Sequence, residues 1–216
     1  MSVKSTLASI REDYFRFPLY ILANPFKGYD RIKYEKKGKI SVCVVMLAVM
    51  FLLNILEYLY AGFPVNYRKP QYIRTVMILF QTIGPVLLFS VANWSITCLI
   101  DGAGKMKEIF YVVMYAQYMG IYLHAIALIL TNVLTLSEMP VANFFYGLAA
   151  LILCLYTFIG LIVIHEFSFS KAVGSIILTF AALAVIMFII LLLSSLVGEF
   201  IQFIRMVVSE FSLHYL

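Results

Sequence analysis

Residues 101–108, DGAGKMKE, set two glycines beside a lysine, a combination that phosphate-binding loops use. In those loops a strand precedes GxxxxGK, and a Ser or Thr follows it to hold magnesium. Here Gly104 and Lys105 are followed by Met106, and a long apolar run precedes the turn. The pattern therefore excludes a phosphate loop. It predicts a tight turn in which one helix ends at Gly102 or Gly104 and the next begins near Lys105.

A second pair, His165 and Glu166, begins like the HExxH motif of zinc proteases, in which two histidines one helical turn apart hold the metal. The second histidine would fall at position 169, where the chain has Phe169. The three cysteines show no CxxC spacing and add no ligand set. We therefore expect no metal, no cofactor and no catalytic residue.

The two charged turns resemble each other. A shift of 64 residues aligns Asp101 with His165 and Lys107 with Lys171, so each turn has a polar residue at a helix end and a lysine opening the next helix. This similarity suggests a parallel repeat of helical hairpins. The residues that the turns offer for contact with a partner are Asp101, Gly102, Gly104, Lys105, Lys107, His165, Glu166 and Lys171.

Three further polar side chains, Asn93, Gln117 and His124, lie deep in apolar segments. Gln117 and His124 are seven residues apart and share one face of a helix, and Asn93 lies at about the depth of Gln117 in the preceding helix. Such residues are costly in hydrocarbon and often functional. Two interpretations stay open for this intramembrane cluster. The side chains either form interhelical hydrogen bonds, worth roughly 0.6 kcal/mol each, or line a substrate or lipid cavity.

The composition of the chain predicts which elements position these residues. Of 216 residues, 63% are apolar and 12% charged, against about 25% charged in soluble domains, and the mean hydropathy is +0.98. Five segments have the roughly 20 apolar residues that a membrane-spanning helix needs. We predict an all-α polytopic membrane bundle with a cytoplasmic or interfacial region at 1–39 and a membrane domain at 40–216. The predicted spans are 40–61, 76–100, 109–130, 144–164 and 172–197, followed by an interfacial helix at 199–211.

Lysine and arginine set the predicted orientation. With the N-terminus inside, 12 of them fall in cytoplasmic parts and 4 elsewhere. Since cytoplasmic loops carry an excess of basic residues, we predict a plasma membrane protein with a cytoplasmic N-terminus and an extracytoplasmic C-terminus. The net charge of +5 points to anionic lipid headgroups rather than nucleic acid, because nine basic residues lie before the first span.

The residues before the first span form amphipathic helices. Leu7, Ile10, Tyr14 and Phe17 recur at helical spacing, and Pro18 is expected to break or kink this first helix. Asn24 and Pro25 predict the start of a second helix, and Gly38 predicts its end. The region is either a surface anchor or a docking surface for a partner. Its candidate docking residues are Asn24, Pro25, Phe26, Lys27, Tyr29, Arg31 and Lys33.

Five spans with this orientation, the element NPFKGYDRIK at 24–33, and the turn DGAGK at 101–105 resemble the Ypt-interacting protein (Yip) domain family. Eukaryotic members carry a long cytosolic N-terminal extension and associate with Rab-type GTPases in Golgi and ER membranes. The sequence has no such extension and is similar to the short bacterial form. In Gram-positive bacteria that form often accompanies sugar-uptake ABC transporter components. The resemblance implies no catalytic residue.

Two functions are therefore expected. The first is a non-enzymatic membrane scaffold or accessory subunit, acting through protein and lipid contacts and associated with other integral membrane proteins such as ABC transporter subunits. The alternative is a small-molecule or lipid transporter with a polar intramembrane cavity at Asn93, Gln117 and His124. An intramembrane enzyme is disfavoured, because the HExxH frame is incomplete.

Overall fold

The structure, a computed structural model, describes residues 11–62 and 74–214, with side chains described up to residue 210. All regular elements in these ranges are helices. A π-helical turn, Glu12–Arg16, leads into α1, and a 3-10 turn, Leu136–Glu138, precedes α6. The helices are α1 (Phe17–Ala23), α2 (Pro25–Lys33), α3 (Ile40–Tyr60), α4 (Thr75–Leu99), α5 (Met106–Val133), α6 (Met139–His165) and α7 (Phe169–His214).

Helices α3 to α7 are long and apolar enough to cross a membrane, which confirms the predicted all-α polytopic fold. Hydrogen bonds at both ends of the bundle show that consecutive helices alternate in direction. At one end the Gly62 N–H donates to Thr131 Oγ1 at 3.1 Å, and at the other the Gly104 N–H donates to His165 Nδ1 at 3.2 Å. We call the second end, where α4 and α6 finish, the N-terminal face.

Helix α5 is the centre of the bundle. It contacts α3, α4 and α6, and half of its most apolar stretch is buried. Its buried residues Val112 and Tyr115 join the main core with Phe17 of α1, whose ring meets Tyr115 edge-on at 5.6 Å between centroids. The short N-terminal helices therefore pack into the same core as the spans.

Helix α7 corrects the sequence prediction. A separate interfacial helix at 199–211 is wrong, because α7 continues from Phe169 to His214 without a break. Gly198 alone costs a helix only about 1 kcal/mol, and no proline stands near it to remove a backbone donor. At 1.5 Å per residue, 46 residues span about 69 Å. No described side chain beyond Thr179 is buried, so α7 leaves the bundle after its first turns.

The predicted end of the second amphipathic helix is also wrong. Helix α2 ends at Lys33 rather than Gly38, and Lys36 adopts the left-handed backbone conformation with φ 52°. Gly38 is required by space instead, because a Cβ atom there would lie 2.5 Å from Cδ2 of Tyr111. Pro18 does not break the first helix. The π-helical turn before it passes directly into α1, while the predicted positions Leu7 and Ile10 lie outside the described residues.

Candidate functional site

Helix α2 packs against the bundle through buried residues, of which Tyr29 is the largest. Tyr29 is fully buried, and the absence of a side chain at Gly160 of α6 gives it room, since a Cβ there would lie 3.1 Å from Tyr29 Cζ. Burial raises the pKa of Tyr29 far above its ordinary value, so the phenol is neutral. The Tyr156 hydroxyl of α6 donates to the Leu22 carbonyl at 2.6 Å and holds the end of α1 beside it.

An ionic contact joins the end of α2 to the end of α6. Lys33 Nζ and the Tyr34 hydroxyl both donate to Oε1 of Glu166, at 2.6 and 2.5 Å. The Lys33 side chain is only 10% exposed, whereas Glu166 is 56% exposed. Hydrogen bonds from Lys33 and then from Tyr34 hold the pKa of Glu166 below its usual range. The same bond to Glu166 raises the pKa of Tyr34. Two candidate residues far apart in sequence, Lys33 and Glu166, thus meet.

The glycine turn and the His165 turn also meet. His165 is buried, and its Nδ1 accepts the Gly104 N–H. A Cβ atom at Gly102 would lie 2.6 Å from that nitrogen, and one at Gly104 would lie 2.8 Å from Cε1 of the same ring. Asp101, not a glycine, takes the left-handed conformation with φ 56°. The glycines are therefore needed for the close approach of His165. Helix α5 begins directly after this turn, at Met106.

The remaining turn residues surround this contact. The His165 ring stacks on Phe167 with centroids 5.1 Å apart, and Lys171 Nζ lies 4.6 Å from the Phe167 ring centroid. Lys105 precedes α5, and its N–H donates to Glu108 at 2.9 Å. Lys107 is exposed. These contacts hold the turn in shape.

The outer surface of α2 carries a shallow groove of about 340 Å³ between charged and aromatic side chains. Arg31 lies over the Tyr20 ring at 4.3 Å from the centroid, and Lys27 and Asp30 are exposed. Asn24 and Pro25 occupy the predicted N-cap and first helical positions, but the Asn24 side chain makes no cap hydrogen bond. The groove is lined by Tyr20, Lys27, Asp30, Arg31, Tyr34 and Glu35.

Large apolar side chains stand on the same outer surface. Phe15, Leu19 and Phe26 are each more than half exposed, whereas Phe17, Ile21 and Tyr29 of the same segment are buried. The N-terminal segment thus has one apolar side against the bundle and another facing outward. An outward apolar side next to basic residues suits insertion into the membrane interface.

Two residues of the intramembrane cluster, Asn93 and His124, contact side chains of other helices. Asn93 Nδ2 donates to Thr179 Oγ1 of α7 at 3.0 Å, and the residue is fully buried. His124 meets the Tyr146 ring of α6 edge-on at 5.0 Å between centroids. In the described part of the chain, no hydrogen bond links Asn93, Gln117 and His124 to one another. The observed Asn93 bond fits the interhelical hydrogen-bond interpretation.

Sequence reasoning did not include Tyr34 or Glu57 among the candidate residues. Tyr34 follows the last residue of α2, but nothing in the sequence pairs it with Glu166, 132 residues away. Glu57 lies one turn from the end of α3, close enough to interact electrostatically with His124 and Tyr146. An acidic residue so near the end of a span is expected simply to reach water, so the sequence does not indicate that Glu57 lies in a cleft. Within residues 11–62 and 74–214, no group of three His, Cys, Asp or Glu side chains is placed to hold a metal ion.

Comparison of the chain with protein-family models, with curated proteins and with solved structures gave no match.

Proposed function

We propose that the protein is a non-enzymatic membrane scaffold or accessory subunit whose N-terminal face docks other integral membrane proteins at the cytoplasmic surface. The observation that carries the proposal is the convergence of three distant segments, α2, the 101–105 turn and the 165–168 turn, into one face. A surface held in one shape before binding loses less conformational entropy when a partner docks. The contacts inside this face stabilise the turns and leave the groove on α2 open.

Lipid contacts belong to the same proposal. Phe15, Leu19 and Phe26 project outward beside Lys27 and Arg16, an arrangement suited to anionic headgroups. The resemblance to the short bacterial Yip form supplies the class of partner that we propose, a sugar-uptake ABC transporter subunit. The cytoplasmic placement of the face follows from the excess of basic residues at this end.

The test is purification of the tagged protein from its own host's membranes in mild detergent, with co-purifying proteins quantified by mass spectrometry. We expect one or two integral membrane proteins in stoichiometric amount. The double substitution Lys27→Ala with Asp30→Ala changes only exposed groove residues and should remove them. Arg205→Ala, at an exposed position on α7, is the matched control and should retain them. Equal recovery with both variants would count against the N-terminal face.

A second function, transport of a small molecule or lipid, is favoured by one observation, a polar cleft between α3 and α4 at the other end of the bundle. Its test is flux into proteoliposomes containing the purified protein alone. Replacement of Asn54, Glu57 and Gln81, which line this cavity, by apolar residues should abolish flux if the cavity serves transport. Unchanged flux would remove that cavity from the mechanism.

A further inference from the structure

A cleft of about 590 Å³ opens between the end of α3 and the start of α4. It lies at the end of the bundle opposite the N-terminal face. Its polar lining includes Asn54 and Glu57 from α3, Gln81 from α4, and Arg74 immediately before α4. This volume falls within the roughly 300–1,000 Å³ of small-molecule sites. We call it the Glu57 cleft.

The polar lining extends into the spans. Asn54 is six residues before the end of α3, and Gln81 is six residues after the start of α4, a depth of about 9 Å for each at 1.5 Å per residue. Asn54 is held in place because its Nδ2 donates to Thr82 Oγ1 at 2.8 Å. Polar side chains at membrane depth normally face water, a partner or a ligand. The cleft thus offers a polar pocket at the side of an otherwise apolar helix pair.

Two opposite charges in the cleft are left for a ligand. In the described part of the chain, neither Glu57 nor Arg74 has an ion-pair partner, although both line the same cleft. Arg74 occupies the N-cap position of α4, and its own side chain makes no cap hydrogen bond. The first N–H groups of a helix favour an anion, which adds to the guanidinium charge. The cleft therefore holds the Glu57 carboxylate, which can bind a cation, together with Arg74 and the start of α4, which can bind an anion.

One side chain of the cleft lining, Met77, belongs to an outward-facing apolar surface of α4. Met77 is 53% exposed, and Phe80, one turn further along α4, is 71% exposed. A ligand with a charged head and apolar chains would place its chains along these residues. An aminophospholipid, with its zwitterionic headgroup and its acyl chains, has that shape.

We propose that the Glu57 cleft binds an amine–phosphate zwitterion, with its ammonium against Glu57 and its phosphate against Arg74. The source of this group is either a phosphatidylethanolamine-type headgroup or a soluble amine phosphate such as phosphoethanolamine. Arg binds phosphate through paired N–H donors, and a primary ammonium donates charge-assisted hydrogen bonds to a carboxylate. The site is independent of the proposed docking at the N-terminal face.

The experiment measures lipid retention by the full-length protein in detergent. The protein is exchanged into an equimolar mixture of phosphatidylethanolamine and phosphatidylglycerol, repurified, and its bound lipids are quantified by mass spectrometry. Both lipids carry the phosphate, but only the first carries the ammonium. We expect about a tenfold preference for phosphatidylethanolamine, the ratio that one charge-assisted hydrogen bond gives. Glu57→Gln should abolish the preference, and Arg74→Gln should lower retention of both lipids.

Controls and a second arm separate the sources. Glu199→Gln and Arg205→Gln change the same residue types at exposed positions on α7 and should retain the wild-type preference. In lipid-free detergent, phosphoethanolamine should raise the melting temperature of the wild type but not of Glu57→Gln if the soluble group is the ligand. Helical circular dichroism checks that each variant folds. Equal retention of both lipids by the wild type, with no thermal shift from phosphoethanolamine, would overturn the proposal whatever the variants do.

Discussion

At the scale of the residue, Gly104 is required because a side chain at this position would clash with its neighbours. No described glycine has a positive φ, and a Cβ at Gly104 would meet Ile164 and the His165 ring. Gly147 of α6 is the matched case, since nothing lies within 4 Å of a Cβ built there. The two glycines therefore predict opposite responses to the same substitution.

Gly104→Ala should destabilise the protein by about 1–3 kcal/mol, the usual cost of overpacking. Gly147→Ala should be neutral or stabilising by up to about 1 kcal/mol, because alanine favours a helix over glycine. Denaturant unfolding in detergent, followed by circular dichroism, measures both. Equal effects would show that the His165 contact does not constrain the turn.

The contact among Lys33, Tyr34 and Glu166 is weakened both at low pH and at high pH. The lowered pKa of Glu166 means that its contribution is full above about pH 4.3, the ordinary glutamate value, and is lost as the pH falls through the lower folded value. The raised pKa of Tyr34 means that its contribution is full below about pH 10 and is lost as the pH rises through the higher folded value. The contact is therefore complete at neutral pH.

Glu166→Gln should increase amide hydrogen exchange in residues 25–37 at pH 7 and leave the five spans protected. Glu35→Gln is the control, because within residues 11–62 and 74–214 Glu35 forms ion pairs only with the nearby Arg31 and Lys37. Its exchange pattern should match that of the wild type. Exchange in 25–37 that Glu166→Gln leaves unchanged would show that the ionic contact does not hold α2 in place.

At the scale of the element, α2 is held by the ring of Tyr29 rather than by its hydroxyl. The ring is fully buried, and in the described ranges the hydroxyl has no hydrogen-bond partner. Tyr29→Phe should therefore be neutral or stabilising, since it removes an unsatisfied polar group. Tyr29→Ala should cost about 3–5 kcal/mol, as for other large aromatic truncations in a core. Thermal unfolding of both variants tests this prediction. Similar losses of stability in the two variants would indicate a role for the hydroxyl.

The sequence predicted elements better than contacts. Apolar runs gave five spans whose ends, apart from the last, lie within five residues of the helices, because about 20 apolar residues are themselves the signal. The continuity of α7 through Gly198 was missed, since one glycine is a weak helix breaker. The role of Gly38 was misassigned for a different reason. The Tyr111 ring that requires it belongs to another helix and leaves no local pattern.

At the scale of the whole molecule, the candidate site depended on topology. The residues Lys33, Gly104 and Glu166 were each predicted as candidates, but only the alternation of helix direction brings them to one end. The contact of Asn93 with α7 could not be predicted for the same reason. Equal depth does not decide which helix faces are in contact, and Asn93 turns to Thr179 of α7.

If the N-terminal face docks a partner, site-specific photocrosslinking in native membranes should capture that partner. A photoreactive amino acid would replace Phe26, which is 55% exposed on this face, or Leu136, which is 69% exposed near the opposite end. We expect position 26 to crosslink to the same one or two integral membrane proteins in repeated experiments, and position 136 not to do so. Crosslinks to lipid alone at position 26, or the same proteins from both positions, would contradict docking at the N-terminal face.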